Sequence, residues 1–141
     1  MGKGSMFASV EAGLDTVLGE LRTLEPIFHT RSFGMTTHER ERRVAAEYWE
    51  VGASGRRYSR EFIMKKLGET KPVDADAAGW RCWDFGLRQL GPGSTYLLTY
   101  SLDQAGRITR RATVWHKGGE GWWQILYHQG TVVTGEDDTA R

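Results

Sequence analysis

The chain reads as an α+β fold: three N-terminal helices laid on a strongly curved, mainly antiparallel sheet. Three features of its 141 residues predict this. Apolar residues between Val10 and Phe28 recur at steps of three and four. From Trp80 onward the period changes to two. Glycine-rich breaks at 91–94, 104–106 and 118–121 then cut that half into consecutive strands joined by tight turns.

The first helix is expected from Ser9 to about His29. Val10, Leu14, Val17, Leu18, Leu21, Leu24 and Phe28 form its apolar stripe, and Glu11, Asp15, Glu20 and Arg22 fill the opposite side. Pro26 marks an end or kink near Glu25. Thr36-Thr37-His38-Glu39 has the spacing of a capping box, a hydroxyl followed three residues later by a glutamate, so a short helix is expected to Ala46. Glu47–Gly52 reads as a strand, GASGRR as a turn, and Ser59 as the cap of a third helix over Arg60–Leu67. Four strands follow at about 80–90, 94–103, 107–117 and 121–133. The last has large apolar groups on both faces: Trp123, Ile125 and Tyr127 on one, Trp122, Leu126 and His128 on the other. Residues 8–133 are expected to form one domain, with 1–7 a flexible leader and 134–141 a polar tail.

A net charge of +1, with acids and bases interleaved, argues against a nucleic-acid partner. No apolar run reaches the ~20 residues of a membrane span. The single cysteine, Cys82, precludes an intramolecular disulfide and points to a reducing, cytoplasmic setting. The histidines at 29, 38, 116 and 128 lack metal-ligand spacing, and no phosphate loop or nucleophile elbow is present, so neither a metal nor a cofactor is expected.

The segments YWEVGASGRRYSREF (48–62), TYLLTYSL (95–102), RITRRATVWHK (107–117) and GWWQILYHQGTVV (121–133), in the order helix, helix, strand, helix, meander, resemble the nuclear-transport-factor-2-like superfamily. Within it they look like domain of unknown function 4440, a bacterial branch related to the SnoaL-like proteins and ketosteroid isomerases. The resemblance implies a cone with a pocket between helices and sheet, and a homodimer formed through the outer sheet face. It implies inward positions at Glu50, Leu98, Tyr100, Leu102, Arg111, Thr113, Trp115, Leu126 and His128, with Tyr58 near the rim. The isomerase catalytic aspartate falls at Gly52 and the proton-donating aspartate at Thr113. The isomerase tyrosine of the first helix has no counterpart, since no tyrosine precedes Tyr48. That activity is therefore not carried over.

Two candidates for acid–base chemistry remain. Glu50 in an apolar cavity would be a desolvated carboxylate suited to act as a base, or else a salt-bridge partner of Arg111. His128 can serve as acid, donor to a ligand, or plain core histidine. Arg110 and Arg111 must face opposite ways, and the inward one would clamp a carboxylate or pair with Glu50 or Asp84. Trp49, Trp83, Tyr100 and Trp115 would wall a flat ligand or simply pack the core. Three functions compete: a small-molecule-binding cone, a proton-transfer enzyme using Glu50 and His128, and a dimeric interaction module with a filled cavity.

Overall fold

The computed structural model describes residues 3–28, 36–69, 71 and 73–135. Its elements run α1 (Lys3–Leu24), a 3-10 turn (Glu25–Phe28), α2 (Thr37–Arg43), β1 (Val44–Val51), β2 (Arg57–Ser59), α3 (Arg60–Glu69), α4 (Ala75–Ala78), β3 (Arg81–Gln89), β4 (Thr95–Gln104), β5 (Arg107–Lys117) and β6 (Trp123–Val132). Helix α1 begins at Lys3, inside the stretch whose composition suggests a leader. Most of the expected polar tail, and residues 29–35 after the first helix, lie outside the described residues.

Local chemistry sets the boundaries. Thr36 caps α2 as a full capping box: its hydroxyl accepts from the Glu39 N–H, and the Glu39 carboxylate accepts from the Thr36 N–H. Pro26 does not stop the chain abruptly. The helix tightens at Glu25 into a 3-10 turn, where a missing amide donor costs less. The β4–β5 hairpin closes on Ala105 and Gly106, both at positive φ (56° and 95°), the conformation a two-residue primed turn requires. Asp103 Oδ1 accepts from the Gly106 N–H at 2.7 Å and secures it.

The six strands form one sheet in the order β2-β1-β6-β5-β4-β3. All neighbours are antiparallel except β1 and β6, which run parallel. The register between β1 and β6 breaks between Val44 and Trp49, and β3 and β6 each carry an extra residue. On β3, Trp83 opposes Ser101 and Gly86 opposes Thr99, with Asp84 at φ 60° in the break. On β6, Trp115 opposes Ile125 while Val114 opposes Tyr127, so Leu126 is the bulged residue. The bulge changes the parity of the last strand. Trp123, Ile125 and His128 are all buried, and the expected inward position at Leu126 passes to Ile125.

The inner face carries the core. Tyr48, Leu98, Tyr100, Leu102, Trp115, Trp123 and Ile125 are buried there against Leu21 of α1 and Leu67 of α3. Val17, Leu18 and Leu24 of α1, with Ile63 and Met64 of α3, complete the helical layer. Among the described residues, no helix is long and apolar enough to cross a membrane.

Candidate functional site

One rung of the sheet organises the polar interior. Leu98, Thr113, His128, Glu50 and Tyr58 are consecutive cross-strand partners from β4 to β2, so their side chains leave the same face. The next rung holds Tyr100, Arg111 and Gly130. Into this arrangement the end of α1 lowers a group that reading the strands alone does not find. Glu25 is 2 % exposed, and its carboxylate meets the centre of the sheet.

Glu25 Oε1 accepts from the Tyr100 hydroxyl at 2.7 Å and from the Thr113 hydroxyl at 2.6 Å. Its Oε2 accepts from the Trp115 indole N–H at 2.8 Å. Thr113 Oγ1 is also 2.7 Å from His128 Nδ1, and His128 Nε2 is 3.3 Å from Arg111 Nη1. Donor rules order the chain. Arginine only donates, so Nε2 of a neutral His128 accepts and Nδ1 carries the proton. Nδ1–H then donates to Thr113, and Thr113 donates to Glu25. With His128 neutral, this relay links the Arg111 cation to the Glu25 carboxylate.

Burial pushes the Glu25 carboxyl up from 4.5 to about 7. The hydrogen bonds from Thr113, Tyr100 and Trp115, and the charge of Arg111, pull the other way without cancelling it. Burial likewise raises the Tyr100 hydroxyl, helped by the adjacent carboxylate. It lowers the Arg111 guanidinium, with Arg107 adding like-charge repulsion.

Arg111 is held flat across the sheet. Its Nε donates to Thr109 Oγ1 at 2.9 Å, and its guanidinium lies over Gly130, where an added Cβ would stand 3.4 Å from Nε and Cζ. Among the described residues, its Nη2 has no hydrogen-bond acceptor.

Glu50 and His128 are cross-strand neighbours on the inner face. The buried Tyr48 bonds Glu50, its hydroxyl donating to Oε1 at 2.6 Å. Burial, then Glu50, raises the Tyr48 hydroxyl far above its ordinary value. The carboxylate joined to His128 through Thr113 is Glu25, not Glu50. Tyr58 stacks on Phe62 at the rim (centroids 5.0 Å apart). Tyr100, Thr113 and Trp115 are interior and bound to Glu25.

Trp49 and Trp83 correct the expected aromatic wall. Both leave the outer face, 44 % and 39 % exposed, because each alternates with an inward neighbour, Glu50 and Cys82. Trp49 packs edge-on against Tyr127 (4.7 Å) beneath Arg57. Arg110, opposite in direction to Arg111, bonds Ser101 on that outer face.

Glu25 had a signal in the sequence. It stands four residues after Leu21 and seven after Leu18, on the stripe that faces the core. An acid at that spacing marks a buried carboxylate.

No protein-family profile and no curated protein sequence matches the chain. Solved structures do. A nuclear-transport-factor-2-like protein from Cytophaga hutchinsonii aligns with a TM-score of 0.63 at 13 % identity, covering 84 % of this chain and 97 % of that one. A ketosteroid-isomerase-like protein from Parabacteroides distasonis aligns with a TM-score of 0.56 at 11 % identity, over 79 % and 85 %. The S. rosetta CaMKII hub aligns with a TM-score of 0.60 at 14 % identity, over 85 % and 96 %. The chain has the nuclear-transport-factor-2-like fold.

Proposed function

We propose that the interior of the cone binds a small, partly apolar molecule bearing a carboxylate or similar anionic oxygen, with Arg111 as its anchor. The observation that carries this reading is the state of Arg111. Two of its nitrogens are spent fixing the guanidinium on the inner face, and Nη2 is left without an acceptor among the described residues. A buried polar network is costly relative to apolar packing, so its presence at the centre of the core is best accounted for by a ligand. Because Glu25 titrates near 7, anion binding is expected to strengthen below that value, where the neighbouring negative charge is neutralised.

The test is a panel of small mono- and dicarboxylates screened by native mass spectrometry and thermal shift. Arg111→Lys keeps the charge but loses the planar fork, and is expected to weaken a hit about ten-fold. Gly130→Val, which drives a side chain into the space of the guanidinium, is expected to weaken it comparably while His128 stays in place. Binding that ignores both substitutions removes Arg111 from the site.

A second reading concerns proton transfer. Glu25 is poised near neutrality, so a reaction on the bound molecule would draw its proton through Thr113 and His128.

Self-association through the outer face is supported by the exposed Trp49 and Trp83 and by the hub neighbour. Light scattering is expected to give a dimer for the native chain and a monomer for Trp49→Ser/Trp83→Ser. A dimer that survives both changes places the contact elsewhere.

A further inference from the structure

A separate cavity of about 430 Å³ opens between the C-terminal half of α1, the end of α2 and the β5–β6 hairpin. Glu20, Thr23 and Leu24 line it from α1, Arg43 from α2, and Lys117, Trp122 and Trp123 from the hairpin. We propose that this cavity is a second binding site, taking a small aromatic molecule that carries a carboxylate or phosphate group, with Arg43 as the anchoring cation.

Arg43 Nη1 donates to the Trp123 carbonyl at 2.6 Å, which fixes the guanidinium beneath the hairpin. Its Nε is shielded from solvent and has no hydrogen-bond acceptor among the described residues. A guanidinium held this way keeps hydrogen-bonding capacity that the fold leaves unused. Arg43 makes no ion pair among the described residues. The carboxylates of Glu20 and Glu39 are committed elsewhere. Glu20 Oε2 accepts from the Trp123 indole N–H at 2.8 Å and stands 4.0 Å from Lys117 Nζ. Glu39 is engaged in the capping box of α2. Arg42, beside Arg43, adds positive charge and lies over the Trp122 ring at 4.7 Å.

The walls supply the other half of the chemistry. Trp122 and Trp123 both border the cavity, and Lys117 Nζ lies 5.6 Å from the Trp123 ring centroid. Indole surface beside two cations suits a ring bearing an oxyanion: the ring packs on tryptophan while the guanidinium takes the anionic oxygens in its fork. This site does not use Arg111, His128 or Glu25, and its occupant is independent of the one proposed for the cone.

Phenyl phosphate and benzoate are the probes, with inorganic phosphate and benzyl alcohol as the anion-only and ring-only controls. Calorimetry on the full chain is expected to show saturable binding of at least one aromatic anion with Kd at or below about 1 mM, ten-fold or more tighter than either control. In ¹H–¹⁵N spectra the Trp123 indole N–H should shift on titration while the amides of Thr113 and His128 hold still. Arg43→Lys, which keeps the charge and removes Nε, should weaken binding at least ten-fold, and Arg43→Gln further. Glu20→Gln should tighten it. If Arg43→Gln does not fold, Arg43→Lys decides alone. Absence of saturation by about 10 mM, unchanged affinity in Arg43→Lys, or a footprint on the cone residues would each overturn the proposal.

Discussion

Glu25→Gln will level a pH dependence of stability that the native chain shows between about pH 4.5 and 7. The folded-state value of Glu25, about 7, lies above its ordinary value of 4.5. Below 4.5 both folded and unfolded chains hold the proton, and the group contributes nothing. Between the two values the unfolded chain releases the proton while the folded chain keeps it, so stability falls as pH rises. Above 7 both are ionised and the penalty is complete, on the order of 3 kcal/mol for a shift of this size. Tyr100, Arg111, His128, Tyr48 and Cys82 face the same interior, and Tyr100, Tyr48 and Cys82 all feel the Glu25 charge. Comparing the variant with the native chain at each pH largely cancels what they contribute on their own. Glutamine can still accept from Trp115 and donate to the hydroxyls of Tyr100 and Thr113, so the core retains its partners. Urea titrations from pH 4 to 8.5 should give two stability curves that separate steadily up to about pH 7. Parallel curves would mean that Glu25 ionises as an ordinary surface acid does.

The sheet was legible because its signals are local. Period-two alternation and glycine breaks place β3 to β6 within about two residues of their observed bounds, and the capping box fixes the start of α2. The same parity rule puts Arg110 and Arg111 on opposite faces, as found. It fails on β6, because alternation cannot reveal a bulge. Leu126 is indistinguishable in sequence from a regular strand residue, yet inserting it brings Ile125 and His128 to the same side. Strand β2 and helix α4 are three and four residues long, too short to produce a period. Trp49 and Trp83 are misplaced for another reason. Large aromatics suggest a wall, but side-chain size does not tell the inner face from the outer. Glu25 was obscured by Pro26, which draws attention to where the helix ends and away from which face the last residue occupies. The relay from Arg111 to Glu25 spans β5, β6 and the end of α1, and no local pattern records a contact between residues 88 positions apart.

Trp115→Phe will cost about 2–4 kcal/mol at pH 8 and about 1–2 kcal/mol less at pH 5. Trp115 is the largest fully buried side chain, at 0 % exposure. Phenylalanine keeps the six-membered ring but leaves part of the indole volume empty, a loss that does not depend on pH. The remaining loss does. The indole N–H is the donor found on Glu25 Oε2, while Tyr100 and Thr113 both serve Oε1. Without it, a buried anionic oxygen has no other partner among the described residues. That raises the folded-state value of Glu25 above about 7, so the penalty grows as pH climbs through the ionisation and shrinks once the acid is neutral. Leu98→Ala supplies the contrast. Leu98 is equally buried and apolar, so its cost of about 2–5 kcal/mol should be the same at both pH values. In the Glu25→Gln background the pH dependence of Trp115→Phe should vanish, leaving the packing loss and the lost neutral hydrogen bond to glutamine, neither of which varies with pH. A Trp115→Phe cost that is identical at pH 5 and pH 8 in the native background would show that the indole fills space without holding the carboxylate's charge.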